Sequence, residues 1–394
     1  MQMTQGIELG TWARFLLGDR DAILQLARSR HTLWIGAIFV LAAGLAREYD
    51  QEDLLRSPWY LLIPFVASIA LSLALLLILH RWRGETRPFW IEYRAFLGLF
   101  WMTAPLALVY GIPYERFLSS ADAVSANLWT LLFVAVWRLL LMSRVAAVFT
   151  NQSLWTSFAL IMPVADCVVL VGLAWMPVPL LNVMGGIQLT DAEARLSLLH
   201  FQASFLSGVS LFLWGPLGGI AYACRPSRAL PMLSRDESPP PRGLLILAIA
   251  MVLLWVPFLP ARQGEQRLAS KVDRAMKKGD IAGAIDEMSR HARTDFPPQW
   301  SPPPLIGWRD ESPEILDVID ALIAHPEAAG WVREVFIDKF ERRSLSWGGP
   351  HGHYYTSEEI NRVLNALPEG PALRRKHSIE LDVLKEISPP ATQP

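Results

Sequence analysis

Cysteine is scarce in this chain. Of 394 residues only Cys167 and Cys224 are cysteines, and both lie within or at the end of apolar runs, so neither the loops nor the polar tail can carry an internal disulfide. Lysine is missing until Lys271; every basic residue before it is arginine, a bias to which no function is attached. Charge is sparse at 19%, and the net charge of −1 with a pI of about 6.7 leaves no global field to draw in nucleic acid, for which no motif is present either. There is no P-loop, no HExxH, no GxSxG and no glycine-rich dinucleotide fingerprint. No cofactor is expected and the reading leans away from an enzyme, although a site assembled from separate helices leaves no such trace in a sequence.

Apolar residues are what the chain has in excess. They make up 52% of it, with a mean hydropathy of +0.27, and they are concentrated in long uncharged runs, several exceeding the ~18 residues that suggest a membrane span. About seven spans are expected: 32–46, 58–79, 96–110, 128–141, 154–175, 198–221 and 243–258. The second is the clearest, with Trp59 and Tyr60 at one interface and His80, Arg81 and Arg83 at the other. The expected fold class is therefore all-α: a polytopic transmembrane bundle over 32–261 followed by a small soluble α-hairpin domain over 262–394. The bilayer is the first partner.

Residues 1–31 read as an amphipathic interfacial segment, Trp12, Phe15, Leu16, Ile23, Leu24 and Ala27 opposing Arg14, Arg20 and Arg28, with Asp19 as an N-cap. Gly44 and Ala46 imitate a signal-peptide cleavage site, but the long stretch before the apolar run argues against cleavage. Arginines in short loops stay cytoplasmic. On one side fall Arg14, Arg20, Arg28, Arg30, Arg81, Arg83, Arg87, Arg94, Arg144, Arg225, Arg228, Arg235 and Arg242; on the other only Arg47, Arg56, Arg116 and Arg195. The expectation is a cell-membrane protein with its N-terminus cytoplasmic and, after seven spans, its C-terminal domain extracytoplasmic. Arg262, Arg267, Lys271, Arg274, Lys277 and Lys278 sit awkwardly on that outer side.

In the tail, paired helices are expected at 265–278 and 281–293, 314–324 and 327–342, and 357–367 and 372–387, each pair joined by a Gly- or Pro-containing turn. The stretch GDIAGAI, Gly279 to Ile285, resembles the inter-helix turn of a tetratricopeptide-type hairpin, with Ala284 at the small position. The upstream Trp, Leu and Tyr positions of that repeat are not evident, so the family is not assigned. A Pro-rich segment at 296–308, FPPQWSPPPLIGW, should be extended and wrap the domain surface or act as a strut.

Asp166 is the sharpest chemical feature. An ionised Asp at mid-span costs about 2.5–3.5 kcal/mol on insertion scales, so it is either a proton or cation site or a protonated or paired group that locks two helices. Arg138 is its natural partner, unless that side chain snorkels toward Arg144. Gly215, Pro216 and Gly219 mark a candidate broken helix, with Gly215-to-Gly219 spacing that also suits helix packing. The carboxylates of Glu48, Asp50, Glu52 and Asp53 lack the glycine and spacing of an EF-hand, and His351 with His353 lacks a third local ligand, so no metal is expected. Two functions are carried forward: a membrane anchor presenting a helical domain that binds another protein, and a small-solute or ion transporter using Asp166 and the sixth span. Against the second, no repeat relates the two halves of the bundle.

Overall fold

A computed structural model of the chain describes residues 9–50, 52–79, 89–175, 191–224, 241–304, 313–344 and 357–366. These are mainly helical, with no strand among the described residues. Helices are what an apolar chain must form where no water satisfies the backbone. Among the described residues six stretches are long and apolar enough to cross a membrane: Pro58–Leu79, Phe89–Arg116, Ser120–Phe149, Leu154–Ala174, Ala194–Cys224 and Arg242–Lys277. Each contains one of the expected spans two to seven or coincides with it.

The chain divides into two compact units, one of Met1–Phe117, Ser125–Trp175 and Phe201–Gln263, the other of Leu118–Val124, Met176–His200 and Gly264–Pro394. The first unit opens with two short helices, α1 (Leu9–Leu16) and α2 (Arg20–Arg28), the latter N-capped by Asp19, whose carboxylate accepts from the Ala22 amide at 2.9 Å. Much of their apolar face packs into the core of this unit. Phe15, Ile23 and Leu26 are fully buried against Phe39, Phe96 and Val145, and such burial contributes about 1.5–3 kcal/mol for each large side chain. Polar ties hold the segment in place: Trp12 Nε1 donates to the Met102 carbonyl (3.2 Å), Trp137 Nε1 to the Leu16 carbonyl (3.1 Å), and Arg144 Nε to the carbonyl of Gly18 (3.0 Å). Gly18 sits at φ +78°, in the left-handed region that favours glycine.

The first expected span forms α3 (Thr32–Glu48), 17 residues long. At about 1.5 Å per residue that covers roughly 25 Å, somewhat short of the ~30 Å hydrocarbon layer. Three further helices of this unit matter below: α4 (Ile63–Leu79), α5 (Phe89–Trp101) and α6 (Ser120–Phe149). α3 and α5 run parallel at very close range. A Cβ on Gly36 would lie 2.7 Å from the Trp101 side chain, and one on Gly98 would lie 3.1 Å from Thr32 and 3.3 Å from the Leu33 amide nitrogen. Small residues permit that approach. α5 is tied to α4 by Trp101 Nε1 donating to Ser68 Oγ (2.8 Å) and the Tyr93 hydroxyl donating to the Ile69 carbonyl (3.1 Å). α7 (Leu154–Trp175), α8 (Asp191–Cys224) and α9 (Arg242–Leu253) complete the apolar set.

From α10 (Phe258–Lys277) the chain turns at Gly279, φ +76°, into α11 (Ile281–Ser289), whose N-cap Asp280 accepts from the Gly283 amide at 3.1 Å. Then come α12 (Ile315–Ala324), α13 (Gly330–Ser344) and α14 (Ser357–Ala366); the last expected helix, 372–387, lies outside the described residues. Val272, Met276, Ala284, Ile285, Val318, Ile319, Phe336 and Phe340 form a closed core of the second unit. Phe296 is buried and stacks on Trp300 (4.6 Å, 9°), whose indole nitrogen donates to Asp273 at 3.1 Å. Arg293 donates to the carbonyls of Pro297 (3.1 Å), Pro298 (3.1 Å) and Trp300 (2.9 Å), and its burial pushes the guanidinium pKa below the ordinary value. Lys339 Nζ donates to the carbonyls of Pro302 and Pro304. Prolines cannot donate, so cations reading their carbonyls are the natural way to fix such a segment.

Candidate functional site

Asp166 sits near the middle of α7, almost wholly buried at 3% exposure, and its carboxylate accepts a hydrogen bond from Ser210 Oγ of α8 at 2.8 Å. The same pair of helices meets again where Gly218 faces α7: a Cβ there would stand 2.6 Å from the Ala159 carbonyl oxygen and 3.4 Å from Pro163 Cγ. Phe158 and Trp214 add an edge-on ring contact at 5.1 Å. Asp166 opposite Ser210 and Ala159 opposite Gly218 run in opposite directions along the two helices, which makes α7 and α8 antiparallel.

Arg138 is not brought to Asp166. Its guanidinium lies over the Phe100 ring, 5.1 Å from the centroid, and among the described residues no ion pair joins it to Asp166. The aromatic face supplies electrostatic attraction without requiring a carboxylate. At Gly215, Pro216 and Gly219 the helix shows no break. α8 runs unbroken from Asp191 to Cys224 with Pro216 inside it, and neither Gly215 nor Gly219 has any atom within 4 Å of where a Cβ would be. A single proline removes one backbone bond and need not end a helix whose other bonds persist. The close approach belongs to Gly218, about 100° around the helix from Gly219.

The acidic run after α3 turns out to be a structural joint. Arg116 grips Asp50 through two contacts, Nη2 to Oδ1 at 2.6 Å and Nε to Oδ2 at 3.2 Å, the forked geometry that suits a carboxylate. Glu48 pairs with Arg47 at 3.2 Å, and Asp53 accepts from the Arg56 amide at 3.3 Å. Gln263, 1% exposed, donates to the carbonyls of Tyr49 (3.2 Å) and Glu52 (2.9 Å) and accepts from the Leu55 amide (3.3 Å). Nothing in the sequence singles Gln263 out, because its partners lie more than 200 positions away.

In the second unit, Asp286, His325 and Glu327 bring one ligand atom each within 4.8 Å of one another. His325 Nδ1 is engaged by the Ala321 carbonyl at 2.8 Å, and Asp286 lies 4.0 Å from Arg290. Both carboxylates are exposed, an arrangement common on solvated helix faces. His351 and His353 lie outside the described residues.

No family model, curated protein or solved structure matches the chain. The site must therefore be argued from its own geometry. Ser210 and Gly218 were the residues missed beside Asp166. A serine in an apolar helix is common, and Gly218 is one of four glycines between 208 and 219, so neither carries a signal without the partner helix.

Proposed function

We propose that this protein is a multi-pass membrane anchor, with α3 as a seventh span, that presents its C-terminal helices outside the cytoplasm as a protein-binding domain. The observation that carries the reading is the second unit's own closed core, with the Pro/aromatic segment pinned along it by Arg293 and Lys339. Such a unit has no need of the bundle to bury its apolar residues, and stacked helical hairpins commonly offer binding faces. Two measurements on the intact chain test it. A reporter fused after Pro394 should be active only on the outer side; cytosolic activity removes the seventh span and the sidedness together. In-cell crosslinking should yield a discrete partner that is lost when residues 264–394 are deleted and the bundle still inserts. Recovery of the same adducts from the truncated chain would move the binding function to the bundle.

A second reading, transport of a small cation or proton, rests on Asp166 at mid-span between two proline-containing helices. The Ser210 contact supports a helix lock at the same residue, and Asp166→Asn separates the two. Asparagine keeps the acceptor for Ser210 and loses the charge. If Asp166 only locks α7 to α8, expression and detergent stability should change by less than about 1 kcal/mol, the scale of one hydrogen bond, while Asp166→Ala costs more. Abolished flux in reconstituted vesicles from a normally folded Asp166→Asn protein would establish the transport reading instead.

A further inference from the structure

The first unit contains a cavity of about 420 Å³, lined by Arg28, Ser29, Arg30, Thr32, Leu33, Trp90 and Arg94 among others and, among the described residues, by no carboxylate. Three arginines converge on it from different places in the chain: Arg28 ends α2, Arg30 sits in the turn before α3, and Arg94 lies on α5. All three are exposed, and none has a carboxylate partner among the described residues. Concentrated cationic charge with no acid to neutralise it is costly unless a mobile anion supplies the balance.

A second observation points to the same ligand. Helix α3 begins at the cavity wall, and its N-cap residue His31 gives no side-chain hydrogen bond to the first turn. Thr32 does not cap it either, because its hydroxyl donates back to the Leu26 carbonyl at 2.6 Å. The Ser29 hydroxyl accepts the His31 amide at 3.2 Å just ahead of the helix, and the positive end of the α3 dipole borders the cavity through Thr32 and Leu33. A helix dipole's positive end together with guanidinium groups favours phosphate oxygens, the arginines by paired N–H donors. Trp90, 70% exposed, stands at the rim beside exposed Ile91, the amphipathic ring expected at a headgroup boundary.

We infer that the Arg28, Arg30 and Arg94 cavity holds the phosphate of an anionic phospholipid, its headgroup against the α3 N-terminus and its acyl chains passing Trp90 and Ile91. The inference rests on the membrane reading of the six apolar stretches but not on the anchor function, so it stands or falls separately from the partner experiment. A basic pocket between membrane helices is a recognised form of lipid headgroup site.

The test uses the full chain, purified in detergent, stripped of lipid and titrated with phosphatidylglycerol or phosphatidylcholine under native mass spectrometry. Wild-type protein should retain phosphatidylglycerol in preference to phosphatidylcholine. The triple variant R28Q/R30Q/R94Q should bind it on the order of a hundredfold more weakly, since each arginine beside an anionic lipid surface is worth about fivefold. Arg56→Gln, a basic residue outside the cavity, should leave binding unchanged, and a triple Arg→Lys variant, which keeps the charge, should recover part of it even if the glutamine variant folds poorly. Equal retention of the two lipids, or preference undiminished in a folded glutamine variant, overturns the assignment. So does inorganic phosphate bound with the same arginine dependence in the absence of any lipid preference, which would place a soluble anion there.

Discussion

Gly111→Ala is expected to lower the stability of the first unit by about 1–3 kcal/mol, the usual cost of overpacking a filled site, read as a reduced midpoint in a thermal scan of the detergent-solubilised chain. A Cβ at Gly111 would stand 2.1 Å from Trp255 Cη2, 2.8 Å from Cζ2 and 3.0 Å from Cζ3. The φ at Gly111 is not in the left-handed region, so the penalty is steric and comes from the indole alone. That ring cannot retreat easily. It is buried, tilted against Tyr49 at 4.8 Å and against Phe258 at 6.1 Å. The backbone cannot yield freely either, because the Gly111 carbonyl accepts the Tyr49 hydroxyl at 2.9 Å. The damage should reach the joint that Gln263 makes with the Tyr49 and Glu52 carbonyls. Trp255→Phe supplies the check. Its indole nitrogen has no hydrogen-bond partner among the described residues, so the smaller ring forfeits no such bond, and the double variant should be markedly more stable than the sum of the single changes. An unaltered midpoint for Gly111→Ala, or strict additivity with Trp255→Phe, would show that the contact does not govern the joint.

Lys339→Met carries the second large effect, a loss of about 2–3 kcal/mol from the second unit. Methionine preserves the apolar stem beside Phe336, over whose ring the ammonium lies at 5.8 Å, but it leaves the Pro302 and Pro304 carbonyls without their buried donor. Each orphaned buried acceptor costs about 1–3 kcal/mol, and a bond to a charged donor contributes about 1.5–3 kcal/mol. Partial rehydration of the freed carbonyls, as the segment lifts from the domain, limits the total. Hydrogen exchange should therefore quicken at Gln299, Trp300 and Ser301, and the chemical denaturation midpoint should fall. Exchange at those amides indistinguishable from wild type would mean that Arg293 and the Phe296 to Trp300 stack hold the strut without Lys339.

The membrane-length helices were legible because they depend on composition along the chain. An uncharged run of 20 or so residues has only one low-energy backbone state in lipid, and spans two to seven follow from that. The turn at Gly279 and Asp280 and the N-cap at Asp19 were legible too, since a left-handed residue and a capping carboxylate act within a few positions of themselves. The N-terminal segment shows the limit of such local signals. An amphipathic face shows that something apolar must cover it, but not whether lipid or protein does so.

Pairing across helices was beyond the sequence. Asp166 announced itself as a polar group in an apolar run, yet its neighbour on the page, Arg138, is not its neighbour in space; Ser210 is. Glycine spacing suggested Gly215 and Gly219, whereas the face that meets α7 is the one bearing Gly218. The Arg28, Arg30 and Arg94 cavity needed α2, α3 and α5 to be placed side by side before three ordinary topology signals became one site. Composition and period thus determined by themselves that the chain is helical and where its apolar helices run, because those depend on each residue's own preference for water or lipid. Only the tertiary structure decided which polar groups meet, because that depends on the rotation of each helix about its axis, and rotation is set by side chains on other helices.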